Sequence, residues 1–214
     1  DVEPGSPLLN QISQIFAKPI FFGEKKRYVQ SSMGIAYFNE DITDGGDIIS
    51  NADFAMYEAK RSGKNQYAYY DIHMKNEVLR RKNIKAILHE ACANEGFYCL
   101  YQPQVNVMTG EIAGYEALVR LKDHLLLPDQ FISVAEESDT ILVIGRMVTR
   151  QVIKQMADWR NCGLELRPVA INFSSNQMKD TGYVSYLKEL LIEYDIDPEL
   201  IEVEITESIF MNNS

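Results

Sequence analysis

Residues 115–121 read Tyr-Glu-Ala-Leu-Val-Arg-Leu, and this segment restricts the folds open to the chain more than any other. It alternates with the period of a strand. Tyr115, Ala117 and Val119 face one way, and Glu116, Leu118 and Arg120 the other. A carboxylate and a guanidinium therefore share one face of an otherwise apolar strand, near its end. Charges seldom sit there without a metal, an anion or each other as partner. Two further predicted strands end alike. Residues 168–173 carry Asn172 near their end, and residues 201–205 carry Glu204, with Ile201, Val203 and Ile205 on the opposite side. Three oxygen donors on three strand ends point to a hard cation, Mg²⁺ or Mn²⁺.

The rest of the pattern says what those strands belong to. Helical spacing covers residues 8–16, stopped by Pro19. Residues 26–38 read as a strand or hairpin arm in which Gly34 marks a close backbone approach. Residues 41–47 read as a turn, and 47–61 as a helix with Ile48, Ile49, Ala52, Ala55, Met56 and Ala59 on one face. Gly63 follows as its cap. Residues 66–70 return as a short aromatic strand, and 71–94 form a long charged helix, a connector between domains. From residue 97 the order becomes strand (97–105), a turn at Thr109-Gly110, strand (115–121), helices (129–137 and 141–159), strand (168–173), helix (183–194) and strand (201–205). This alternation predicts parallel β/α architecture, doubly wound or barrel. Polar residues at C-terminal strand ends favour the catalytic mouth of a barrel.

With 214 residues and 46% hydrophobic content, the chain can supply one full domain or two partial ones. A net charge of −10 argues against binding nucleic-acid polymers. Cys92, Cys99 and Cys162 have no zinc or disulfide-framework spacing and read as reduced thiols of a cytoplasmic protein. No signal peptide and no bilayer-spanning apolar run occurs; an anchor elsewhere in a longer parent is compatible with that.

Several motifs then resemble a known pair of families. Glu116-Ala-Leu-Val-Arg120, Tyr101-Gln-Pro103, Ile171-Asn-Phe-Ser174, Glu204-Ile-Thr-Glu-Ser208 and the stretch Pro128 to Glu136 resemble the EAL domain, which hydrolyses the bacterial second messenger cyclic di-GMP. Ser32-Met-Gly-Ile-Ala36, residues 52–60 and Gly63-Lys-Asn65 resemble the tail of a GGDEF domain, the fold that makes it. Gly45-Gly46-Asp47 is not the GGDEF signature, because it sits in the turn before the last helix. The resemblance implies residues 1–71 as the C-terminal part of a GGDEF α/β domain. Residues 72–96 would be a linker helix, and 97–214 the first half of an EAL (β/α)8 TIM-type barrel.

The resemblance also implies roles. Glu116, Asn172 and Glu204 are expected metal ligands for Mg²⁺ or Mn²⁺, in a site that two such ions share in the parent. Glu207 is expected to steady a nearby loop. Gln102 and Arg120 are expected to contact cyclic di-GMP, an arginine fork suiting phosphate oxygens or a guanine edge. Lys60 and Lys64 match phosphate-touching positions of the cyclase fold, but a helix C-terminus favours cations anyway, and that plainer reading is preferred. Glu202 reads as a surface or lumen carboxylate, Trp159 as helix core, and His73, His89 and His124 form no cluster.

Two departures bear on activity. Leu121-Lys-Asp-His-Leu125 stands where the family has a tryptophan and a His-Pro loop. The downstream paired aspartates, lysine, glutamate and glutamine, and with them the general base, are expected beyond this sequence. The expectation is therefore a fragment of a cyclic di-GMP phosphodiesterase, inactive alone and self-associating as a homo-oligomer. The rival is a catalytically inactive module that binds cyclic di-GMP or a protein partner. A more distant rival is an unrelated metal-dependent barrel enzyme.

Overall fold

The computed structural model describes residues 6–38, 44–122 and 125–205. The chain divides into two compact units, Asp1–Lys82 and Asn83–Ser214, with the division inside one long helix.

In the first unit, helix α1 (Pro7–Ala17) begins at Ser6, whose hydroxyl accepts the Leu8 N–H at 3.3 Å, with Pro7 in the first turn where its missing N–H costs nothing. It ends at Lys18, before Pro19. Strands β1 (Ile20–Phe22) and β2 (Lys25–Arg27) form an antiparallel hairpin turned at Gly23, whose φ of 63° suits glycine. Strand β3 (Met33–Ile35) pairs in parallel with β4 (Tyr67–Tyr69) across helix α2 (Gly45–Arg61). The single arm expected over 26–38 is thus two strands of different sheets.

Gly34 does mark a close approach. A Cβ there would lie 1.8 Å from the Ala52 carbonyl oxygen and 2.4 Å from the Met56 nitrogen of α2. The expected turn over 41–47 lies partly outside the described residues. Gly45-Gly46-Asp47 forms the first turn of α2, started by Asp44, whose carboxylate accepts the Gly46 N–H at 3.1 Å. The buried side of α2 carries Asn51, Ala55 and Ala59, and Ile49 lies off it, 66% exposed.

Helix α3 (Ile72–Ala93) follows, and its Ile84, Leu88 and Ala91 enter the core of the second unit. That unit is built on a four-stranded sheet in the order β5 (Phe97–Val105), β6 (Ile112–Leu121), β7 (Val169–Phe173) and β8 (Ile201–Ile205). The pairs β6–β7 and β7–β8 are parallel, as the alternation predicts. The pair β5–β6 is antiparallel. The connection between them is too short for a crossover, which needs a dozen or more residues. It closes instead as a turn in which Asn106 Oδ1 accepts the Met108 N–H at 2.9 Å and Gly110 takes a φ of 72°.

Helices α4 (Pro128–Glu136), α5 (Thr140–Asn161) and α6 (Tyr183–Tyr194) complete the unit. Phe97, Ala117, Leu121, Val169 and Ile171 of the sheet share one buried cluster with Phe131 of α4 and Val152, Ile153 and Met156 of α5. Trp159 packs edge-on to Tyr101, ring centroids 4.8 Å apart, which fits its reading as helix core. Two short 3-10 turns, Ser175–Lys179 and Pro198–Leu200, were not anticipated.

Candidate functional site

Residues that pair across a sheet point to the same side, and so do residues two apart on one strand. The register pairs Gln102 with Glu116, Glu116 with Ala170, and Ala170 with Glu202. The next residues along β7 and β8 on that side are Asn172 and Glu204, themselves paired. Gln102, Glu116, Asn172 and Glu204 therefore lie on one face, the face opposite the helices. Asn172 Nδ2 donates to Glu116 Oε1 at 2.7 Å. That bond uses the amide nitrogen, so Asn172 Oδ1 keeps its acceptor capacity.

The placement differs from expectation in one respect. Glu116 is not at a strand end, since β6 continues to Leu121. Its side chain meets Asn172 because Asn172 lies two residues further along β7, on the same side, than Ala170, the register partner of Glu116. Arg120 lies four residues further along β6 on the same face, about 13 Å away at ~3.3 Å per residue. There its Nη1 donates to the Val119 carbonyl at 2.8 Å. Leu118 stands between Glu116 and Arg120 and pairs with Leu100.

Arg120 and Asn172 also border a cavity of about 230 Å³ beside the C-terminal ends of β6 and β7. Its other walls are mainly apolar side chains of α4 and α5, such as Ile132, Ile144 and Val148, with Ser174 and Gln177 on the 3-10 side. Burial pushes the half-buried Cys99 thiol up to about 11, which disfavours the reactive thiolate.

Lys60, in the last turn of α2, and Lys64, just past its end, are exposed residues of the first unit. Glu207 and His124 lie outside the described residues. Among the described residues no three His, Cys, Asp or Glu side chains cluster as a metal site by themselves. The expected donors, two carboxylates and one amide oxygen, are hard oxygens of the kind that Mg²⁺ and Mn²⁺ take. Glu202 is a further carboxylate on the same face, and the period-two pattern of β8 was the signal for it. Gln177, buried behind the end of β7, had no such signal.

Residues 85–214 match the EAL domain family, and residues 5–66 match the diguanylate cyclase GGDEF domain. The chain belongs to the EAL domain family, preceded by a GGDEF-type stretch. Its sheet and helices correspond to part of the TIM-type barrel of that domain. Signaling protein YkoW of Bacillus subtilis (strain 168) is 37% identical over 209 residues, covering 96% of this chain and 26% of YkoW. Cyclic di-GMP phosphodiesterase PdeR of Escherichia coli (strain K12) is 37% identical over 198 residues, 91% of this chain and 30% of PdeR. The chain thus spans about a quarter to a third of the length of these relatives. The Xanthomonas citri FimX EAL domain, solved in complex with c-diGMP, superposes with a TM-score of 0.56 at 25% identity, covering 64% of this chain and 54% of that one.

Proposed function

We propose that the second unit supplies part of the cation and substrate site of a cyclic di-GMP phosphodiesterase, acting within a longer polypeptide that yields the linear dinucleotide pGpG. The observation that carries this reading is the hydrogen bond from Asn172 to Glu116 with Glu204 beside Asn172 on the same open sheet face. Glu116, Asn172 and Glu204 are proposed to hold Mg²⁺ or Mn²⁺, which when bound lowers the pKa of a water and neutralises phosphate charge. Arg120 and Gln102 are proposed to orient cyclic di-GMP, Arg120 turning its fork from the Val119 carbonyl to the ligand. Glu207 is proposed to brace the loop beside them. Residues 72–96 are proposed as the linker between 1–71 and 97–214, and the chain as self-associating through the edge of β8 that is unpaired among the described residues.

PdeR is named a cyclic di-GMP phosphodiesterase and the FimX domain was solved with that ligand, which supports cyclic di-GMP as the substrate class. Among the described residues no helix is long and apolar enough to cross a membrane. The test is incubation with cyclic di-GMP and Mg²⁺ or Mn²⁺, with chromatography for pGpG. The longer polypeptide is expected to form pGpG and to lose that ability on Glu116→Ala. The present chain is expected to form none, and pGpG from it that Glu116→Ala abolishes would move the general base into these residues.

A second reading is a module that binds cyclic di-GMP without cleaving it. It is favoured by Leu121, which ends β6 buried among the core side chains where a family tryptophan is expected, and by Leu125, fully exposed on the loop beyond. Retained cyclic di-GMP binding by the longer polypeptide with no pGpG formation would select it.

A further inference from the structure

Glycine in the middle of a helix costs about 1 kcal/mol relative to alanine, so Gly145 in α5 calls for a packing reason. The structure holds one. A Cβ at Gly145 would lie 1.9 Å from Gln177 Nε2 and 2.9 Å from its Cδ. The bare turn of α5 is the seat of the Gln177 carboxamide. Gln177 is 4% exposed, and its Oε1 accepts the Ser174 N–H at 2.9 Å, while its own N–H donates to the Ser174 carbonyl at 3.0 Å. Ser174 is the first residue after β7, two beyond Asn172. The seat itself is braced, since Thr149 Oγ1 donates to the Gly145 carbonyl at 2.8 Å.

We propose that Gly145 and Gln177 are positioning residues for Asn172. The carboxamide seated on α5 fixes the exit of β7, and a fixed exit holds Asn172 Nδ2 on Glu116 and presents Asn172 Oδ1 outward. The position of Asn172 stands on geometry alone. Its consequence for a bound cation rests on the reading of Asn172 and Glu116 as ligands. The Gln177 carboxamide is hydrogen-bonded to Ser174, and Asn172 to Glu116, so the proposed effect runs through the backbone of the turn.

The test uses the present chain, ¹⁵N-labelled, with the Asn172 side-chain amide signals assigned by their loss in Asn172→Asp. Gln177→Met keeps the length of the side chain and removes the acceptor. It is expected to shift the Asn172 amide signals and to weaken Mn²⁺ binding about tenfold. Gly145→Ala is expected to do the same, and to do nothing further when added to Gln177→Ala, because the atom it meets is then gone. Gln177→Met also serves where Gly145→Ala lowers the yield of folded protein.

Shifted Asn172 signals with weakened Mn²⁺ binding support both the positioning role and the ligand reading. Shifted signals in a chain that binds no Mn²⁺ support the positioning role and end the ligand reading for this chain. Asn172 signals that stay in place while the melting temperature falls reduce Gln177 to a packing residue and overturn the proposal, whatever Mn²⁺ does.

Discussion

The two faces of the four-stranded sheet are made by alternate residues of the same strands and have opposite characters. On β6, Ala117 and Leu121 are 3% and 4% exposed against α4 and α5, while Glu116 and Arg120, one residue away from them, carry charge on the other side. On β7, Val169, Ile171 and Phe173 are buried and Asn172 between the last two is exposed. The face that packs on helices supplies burial, and the open face carries Gln102, Glu116, Asn172 and Glu204, the polar groups proposed as ligands and substrate contacts. The chain thereby separates what holds the unit together from what its site can do. Substitutions on the two faces should differ accordingly.

The largest effect belongs to the helix side. Phe131 is fully buried in α4 and packs against Phe97 with ring centroids 6.2 Å apart. Phe131→Ala is expected to cost about 3–5 kcal/mol by lost transfer energy and the cavity left behind. Urea unfolding followed by fluorescence measures it. A loss below ~1 kcal/mol would mean that this face is not the main stabilising layer.

Next comes a polar pair buried within the helix layer. Thr149 is fully buried; its hydroxyl donates to Gly145 and is 2.8 Å from the Tyr183 hydroxyl. Thr149→Val keeps the shape and strands the Tyr183 hydroxyl, which is expected to cost about 1–3 kcal/mol. Adding Tyr183→Phe should restore part of it, because both partners are then apolar. A double mutant no better than the single would show that the hydroxyl pair is not what holds α5 to α6.

A smaller effect depends on pH. Asp180 takes two hydrogen bonds from Arg146, at 2.7 and 2.8 Å, and one from the Gly182 N–H at 3.1 Å. The Arg146 guanidinium first, and the Gly182 amide after it, hold its carboxyl below the usual 3.8. A depressed carboxyl contributes stability that is present above the unfolded value near 3.8 and is lost as pH falls through the folded value. Arg146 is partly exposed, so solvent screening limits the pair to about 1 kcal/mol or less. Asp180→Asn should flatten that part of the acid limb in unfolding measured from pH 7 to 2. An unchanged limb would assign it to other carboxylates.

How far the sequence reveals this arrangement follows from the same two faces. Strands with clean alternation were legible to the residue, as with 97–105 and 201–205. Short strands with exposed patterns were not. Ile20–Phe22 has three exposed apolar residues and no alternation, and the hairpin it forms rests on Gly23 rather than on periodicity. The antiparallel start of the sheet was implicit in the short turn at Thr109-Gly110, but the β/α alternation further on outweighed it. Gly145 and Gln177 were illegible for a different reason. Their contact joins positions 32 residues apart, and a glycine inside a helical pattern signals a close approach without naming its partner.

The smallest stability effect, and the sharpest test of the separation, is on the open face. Glu116→Gln keeps an oxygen to accept the Asn172 amide and removes only the charge. Glu116 is not in the core, and the bond it accepts faces the open side of the sheet. The expected change in unfolding free energy is within ~0.5 kcal/mol, the range of substitutions away from buried features. Binding should respond quite differently, because a neutral amide oxygen is a far weaker partner for a divalent cation than a carboxylate. Mn²⁺ titration followed by electron paramagnetic resonance is expected to show affinity lost at least tenfold, with the urea midpoint unmoved. Stability and affinity falling together would mean that Glu116 helps to hold the sheet, and that the two faces are not independent. Stability that rises while affinity falls would deepen the comparison, since it would show a carboxylate kept on this face at a cost to the fold.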